Sequence, residues 1–230
     1  MRVLLVRADG IGDALACVPL VAALRAAGHE VGAVLGTGNR DAFSTHAFAR
    51  VHVLERIPWP LHGATPESAR VALAEAKRAR YDAALVASEE MDAYRFAVDA
   101  CIPRRIGFVN GFEKPFKTAR VRGWLTRRIV RSASAARARE HEVETMFRLG
   151  TDLVGERAPT RDAVRLRELV LDDAPAPQRF VALQASPKLA GAGRDRAAYV
   201  ALAEALVAHG RPGRVYGDDA GFVHDVAFAS

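Results

Sequence analysis

The opening of the chain sets the strongest limit on its fold. Val3-Leu4-Leu5-Val6 is an unbroken apolar run of strand length, and it gives way at once to Asp9-Gly10-Ile11-Gly12-Asp13. A run that is apolar at every position has no polar face to offer water. It predicts a strand covered on both sides, as in a parallel sheet. Beyond the turn, Leu15, Val18, Leu20, Val21 and Leu24 recur at helical spacing until Gly28. Buried strand, glycine turn and apolar-striped helix make the first half of a βαβ unit.

The unit repeats along the chain. Glu30 to Leu35 reads as a second strand, Asn39 to Phe48 as a helix and Val51 to Leu54 as a third strand. Pro58, Trp59, Pro60 and Gly63 mark a loop, and Pro66 suits the first turn of a helix over Glu67 to Ala79. Ala83 to Ala87 predicts a strand, Asp92 to Ala100 its helix, and Arg105 to Phe108 another strand. From Asn110 to Arg139 the pattern is basic and partly helical. A helix over Glu140 to Leu149 then ends at Gly150, read as a C′ glycine. Leu171 to Gln178, with Asp172, Asp173, Pro175 and Pro177, reads as a linker.

After the linker the pattern restarts with a strand over Phe180 to Gln184, a loop to Arg194 and a helix over Asp195 to His209. A strand over Arg214 to Tyr216 and a last helix after Gly221 close the chain. The expectation is an α/β protein with a Rossmann-like parallel-sheet domain over residues 1–172 and a smaller, incomplete Rossmann-like domain over residues 179–230.

Charge narrows the partners. The net charge is +6, and the excess is concentrated between Arg104 and Arg139, where Glu113 is the one acidic residue. Such a balance favours an acidic partner: nucleic acid, an anionic membrane surface or a phosphorylated small molecule. No nucleic-acid module accompanies the basic stretch, which speaks against nucleic acid. Cys17 and Cys101 lie far apart in apolar surroundings and read as buried, reduced core thiols rather than a disulfide or metal site. Arg7 and Asp9 interrupt the apolar start before a signal sequence could form, and no stretch approaches the ~20 apolar residues of a membrane span. The expectation is a cytoplasmic protein that rests peripherally on the inner membrane.

Two turns carry chemistry. Gly10 and Gly12 let backbone approach a ligand closely, at the start of a helix whose first N–H groups are free. Asp13 in that turn reads either as the helix N-cap or as a group facing the ligand. Asp219 in the late Gly-Asp-Asp-Ala-Gly turn reads as a helix N-cap or a ligand-facing group, and His224 beyond it as a surface histidine or a ligand-facing one. Lys188 and Arg194 are loop cations, solvated or placed against phosphate. Ser88 and Glu89 end a strand where α/β sheets collect their ligands.

Five stretches resemble a known family, in order. Val3 through Pro19, VLLVRADGIGDALACVP, is similar to the opening of the family 9 glycosyltransferases, the ADP-heptose–lipopolysaccharide heptosyltransferases. Tyr81-Asp82-Ala83-Ala84-Leu85-Val86, Arg104-Arg105-Ile106-Gly107-Phe108, and His141-Glu142-Val143-Glu144 with Leu149-Gly150 resemble three further family segments. Gly217-Asp218-Asp219-Ala220-Gly221 with His224 resembles the donor-binding turn.

The resemblance implies a GT-B arrangement and transfer of a sugar, with inversion and without a metal or further cofactor. The co-substrate would be a nucleotide diphosphate sugar such as ADP-heptose. Asp13 would be the base; Asp219, Ala220, Gly221, His224, Lys188 and Arg194 would bind the donor. Gly10, Gly12, Arg120 and Arg122 would face an anionic saccharide or glycolipid acceptor, and Ser88 and Glu89 join that side by their place at a strand end rather than by the resemblance. Family members are longer than this chain, and the loop at Lys188 carries Ala190-Gly191-Ala192-Gly193 in place of the family's Trp-Pro. The second domain is therefore expected to be shortened, and the alternative is a truncated, non-catalytic relative that only binds acceptor or nucleotide.

Overall fold

The apolar run at the start of the chain becomes β1 (Arg2–Arg7), an inner strand of a six-stranded sheet in the order β3 (Arg50–Leu54), β2 (Glu30–Gly36), β1, β6 (Ala83–Val86), β7 (Arg104–Val109) and β8 (Arg127–Val130). The short β4 (Arg56–Ile57) and β5 (Gly63–Ala64) pair with each other. The structure, a computed structural model, describes residues 1–57, 63–110, 115–131, 140–156, 158–170, 172, 181–185, 196–209 and 213–217. The chain divides into two compact units, Met1–Asp173 and Ala174–Ser230.

In the first unit β2 and β6 flank β1, all parallel. β3 lies outside β2, and β7 and β8 continue beyond β6, again parallel. Alternation along β1 separates the two cores. Val3 and Leu5 face one layer with the helices α2 (Val18–Ala26) and α6 (Glu142–Phe147), and Leu4 and Val6 face the other with α3 (Pro66–Ala79) and α4 (Met91–Asp99). All four side chains are fully buried, which is why the run contains no polar residue.

The helix expected after the first turn is two helices, α1 (Ile11–Leu15) and α2. Pro19 is the physical cause. It has no N–H to donate to Leu15, and its ring crowds that carbonyl, so the first helix stops and a second begins with Pro19 in its first turn. Gly28, at φ +78°, ends α2 in a left-handed turn: its N–H reaches the Arg25 carbonyl, and the His29 N–H reaches that of Leu24.

The helix expected over 39–48 is absent; a single 3-10 turn at Arg40–Ala42 stands in its place. Tertiary hydrogen bonds claim the segment instead. The Ser44 N–H and hydroxyl donate to the carbonyls of Leu169 and Glu168, and Thr45 donates twice to the Asp172 carboxylate at 2.7 Å. Nor is residues 140–149 one long helix. α6 is followed by the short α7 (Thr151–Val154), with Gly150 at φ −107° between them, and then by α8 (Ala163–Arg167). Gly150 is no left-handed cap; a Cβ there would overlap Leu20 Cδ1, so glycine permits close packing on α2. β8 was hidden in the basic stretch by Arg127 and Arg128. It is an edge strand, half-exposed along its length, and so tolerates charge.

In the second unit β9 (Val181–Ala185) and β10 (Gly213–Gly217) pair in parallel, with α9 (Arg196–Ala208) between them in the chain. This is one βαβ unit, and it follows the strand–helix–strand pattern read from the sequence. Cys17 is buried as expected, whereas Cys101 is exposed in a turn at φ +57° that ends α4.

Candidate active site

The strand order reverses at β1. The chain runs outward through β2 to β3 and returns to place β6 on the other side of β1. Open α/β sheets bind ligands at the carboxyl ends of the strands beside such a reversal. Here that position is occupied by Ala8, Asp9 and Gly10 after β1 and by Ala87, Ser88 and Glu89 after β6.

Arg7, the last residue of β1, is buried and organises these strand ends. Its Nη2 lies 3.0 Å from Asp13 Oδ2, and its Nε lies 2.6 Å from Asp9 Oδ1 as an ion pair without hydrogen-bond alignment. Nη1 donates to the Ala87 carbonyl and approaches Met146 Sδ at 3.8 Å. A buried guanidinium needs compensating charge, and these two carboxylates supply it. Asp9 is itself largely enclosed. Burial pushes its carboxyl above the ordinary value, against the Arg7 charge and the hydrogen bond from Ser88.

Asn39 fixes the loop from behind. Fully buried, its side-chain oxygen accepts from the Gly36 N–H at 2.9 Å, and its Nδ2 donates to the Arg7 and Asp9 carbonyls at 3.0 and 2.8 Å. Every hydrogen-bonding direction used ties the end of β2 to the turn after β1.

The structure removes one of the two readings of Asp13, the helix N-cap. The N-cap of α1 is Gly10, with no side-chain cap, and Asp13 lies in the first turn with its side chain half-exposed. It is not a cap; it is a carboxylate facing solvent at the crevice, held from below by Arg7. Gly10 and Gly12 are exposed beside it, and no heavy atom comes within 4 Å of a Cβ built on Gly12. The surface around Asp13 is therefore open.

The remaining residues expected on the acceptor side divide. Ser88 is buried and spends its hydroxyl inside the network, donating to Asp9 Oδ2 at 3.0 Å and accepting from the Glu90 N–H at 3.1 Å. Glu89 is half-buried and gathers Asn110 Nδ2 at 3.1 Å, Lys117 Nζ at 3.2 Å and Arg131 Nη1 at 3.5 Å. It joins the ends of β6 and β7 to α5 (Pro115–Arg122) and to the residue after β8. Arg120 and Arg122 are exposed on α5, with the Arg120 guanidinium 5.6 Å from the Trp124 ring.

Much of the basic stretch has internal partners. Arg105 donates to the Trp124 and Ile102 carbonyls, Arg104 and Arg127 pair with Asp152, and Arg131 pairs with Glu142 at 2.8 Å. Lys188, Arg194, Asp219, Ala220, Gly221 and His224 lie outside the described residues. Among the described residues no group of His, Cys, Asp and Glu is placed to hold a metal ion, and no helix is long and apolar enough to cross a membrane.

Sequence reasoning placed the site at the Arg7–Asp13 turn but missed Arg7, Asp9 and Asn39 as members. An arginine closing an all-apolar strand was the available signal for Arg7, because burial there demands acidic partners. Thr37-Gly38-Asn39 after β2 was a turn signal for Asn39, but nothing in it told which backbone groups the amide would meet.

The sequence matches no family model and no curated protein. Solved structures do match. The E. coli heptosyltransferase WaaC with ADP-2-deoxy-2-fluoro heptose superposes with a TM-score of 0.70 at 18% identity, over 96% of this chain and 70% of that one. The chain has the heptosyltransferase fold. E. coli ADP-heptose lps heptosyltransferase II gives a TM-score of 0.65 at 16% identity, over 100% of this chain and 69% of the other. A family 9 glycosyl transferase from Veillonella parvula gives 0.65 at 12% identity, over 99% and 66%. The α/β, GT-B-like class expected from the sequence is thus the class of its structural neighbours, and this chain spans about 70% of the WaaC chain.

Proposed function

We propose that the chain is an inverting glycosyltransferase of the heptosyltransferase type, drawing its sugar from a nucleotide diphosphate donor. The observation that carries the reading is Asp13. In a heptosyltransferase fold, at the reversal point of the sheet, it is an exposed carboxylate anchored on a buried arginine. An acceptor hydroxyl brought to Asp13 would give up its proton to that carboxylate as its oxygen attacks the anomeric carbon. The new C–O bond forms as the bond from the anomeric carbon to the diphosphate breaks, and the nucleoside diphosphate leaves with the bonding pair.

Asp219, Ala220 and Gly221, with His224, Lys188 and Arg194, are the proposed donor side, where backbone N–H groups and cations would take up the diphosphate charge without a metal or a further cofactor. Two of the WaaC structures carry ADP or an ADP-heptose analogue, which supports an adenine nucleotide donor class. The acceptor in this reading is an anionic saccharide or glycolipid, met by Arg120 and Arg122 on the exposed side of α5. Work on such an acceptor places the chain in the cytoplasm, in peripheral contact with the inner membrane, and it leaves nucleic acid without a role.

The test is Asp13→Ala. Loss of a positioned general base removes on the order of 10²–10⁴ in rate, so transfer should fall by that factor while donor affinity holds. Undiminished transfer would remove Asp13 from the chemistry. Donor binding by the wild-type chain without turnover would favour the non-catalytic relative.

A further inference from the structure

We infer that Arg7 is a positioning residue: by holding Asp9, Asp13 and the Ala87 carbonyl at once, it fixes the Asp13 side chain in one orientation toward the crevice. The geometry supplies the reason. Asp13 is half-exposed, and an exposed carboxylate on a short helix samples several rotamers unless something rigid engages it. An ion pair to a flexible surface arginine would not do this, because both side chains would lose freedom to make it.

Arg7 is different. Its guanidinium is enclosed and held before Asp13 is counted: Nε is ion-paired with Asp9, and Nη1 donates to the Ala87 carbonyl and lies against Met146 Sδ. What remains is Nη2, ion-paired with Asp13 Oδ2 at 3.0 Å. Asp9 supplies the opposing charge at Nε, and Ser88 and Asn39 in turn hold Asp9, the first through its Oδ2 and the second through its carbonyl. A chain of contacts from the ends of β2 and β6 therefore ends on the carboxylate that faces solvent. A lysine cannot replace this arrangement. Its ammonium is a point charge, and it lacks the planar fork that meets two carboxylates and a carbonyl in fixed directions.

The kinetic arm of the test rests on the transferase reading; the conformational arm does not. The Asp13 χ1 rotamer is read by NMR from three-bond couplings in wild type, Arg7→Gln, Arg7→Lys and Asp9→Asn, each first shown to be folded. One rotamer is expected in wild type and averaging in Arg7→Gln. Steady-state transfer should show kcat lowered by about 10² in Arg7→Gln with KM little changed, the scale of a misplaced catalytic group. Arg7→Lys should fall between the two. Should Arg7→Gln fail to fold, Asp9→Asn carries the test: removing the Asp9 charge beside Nε loosens the hold on the guanidinium, so partial averaging of Asp13 and about a tenfold loss of kcat are expected. A purely structural role would lower stability yet leave the Asp13 rotamer and the kcat of the folded fraction unmoved, and that result overturns the inference. If wild type transfers no sugar from any donor, the proposed function fails, and the rotamer measurement alone decides the role of Arg7.

Discussion

Replacing Asn39 with alanine should cost the first unit about 3 kcal/mol. The side chain is fully buried and makes three neutral hydrogen bonds, at 2.8, 2.9 and 3.0 Å, to backbone groups of Gly36, Arg7 and Asp9. Each such bond contributes ~1 kcal/mol net, and a buried group left without a partner costs ~1–3 kcal/mol. Three bonds lost together therefore give about 3 kcal/mol as a central value, and a water entering the vacated space offsets part of the penalty. For a unit of this size that is a fall in Tm of roughly 6–12 °C. The assay is urea unfolding followed by far-ultraviolet circular dichroism, with calorimetry for Tm. Asn39→Asp is the companion variant. It keeps an acceptor for the Gly36 N–H but turns a carboxylate oxygen toward two carbonyls, so it should be at least as unstable at neutral pH. A loss below about 1 kcal/mol in Asn39→Ala, where three bonds should have been worth about 3, would refute the argument that this amide holds the turn after β1.

Four other outcomes follow from single observations. Gly28→Ala places a Cβ on a residue at φ +78° and should destabilise by about 1 kcal/mol in the same unfolding assay, with no effect contradicting the left-handed cap. Gly150→Ala forces a methyl into Leu20 and should cost about 1–3 kcal/mol, the range for overpacking; a neutral result would show that α2 and the α6–α7 turn are not in close contact. The Cys17 thiol, pushed up to about 12 by burial, should resist a thiol reagent at pH 8 in the folded chain, while exposed Cys101 reacts; urea should release the second thiol. Asp9 carries a carboxyl raised by burial, so the folded state binds its proton more tightly than the unfolded chain does. Its contribution is fully present below the ordinary Asp value and is lost as pH rises through the folded value. Wild type should therefore gain stability relative to Asp9→Asn as pH falls from 7 into the acid range, and a constant difference would contradict the assignment.

The sheet was legible because burial on both faces leaves a plain mark: Val3 to Val6 and Ala83 to Ala87 can hardly be anything but central strands. The order of the strands was not legible, since pairing β1 with both β2 and β6 is a tertiary choice. β8 escaped because an edge strand keeps its charges, and two arginines at Arg127 and Arg128 look like surface from the sequence. The helix expected over 39–48 did not form, although Phe43, Ala47 and Phe48 are buried. Ser44 and Thr45 bond to the chain more than a hundred residues away, which no local pattern announces. The site followed the same rule. Asp13 stood out in a glycine turn, whereas Arg7 and Asn39 matter through contacts made across strands.

The most direct test of the central claim is calorimetric titration of the purified chain with a panel of nucleotide diphosphate sugars, ADP-heptose included, followed by a transfer assay with any sugar that binds. The account predicts saturable binding of one donor and release of its nucleoside diphosphate, dependent on acceptor and on Asp13. A folded chain that binds none of them would contradict it.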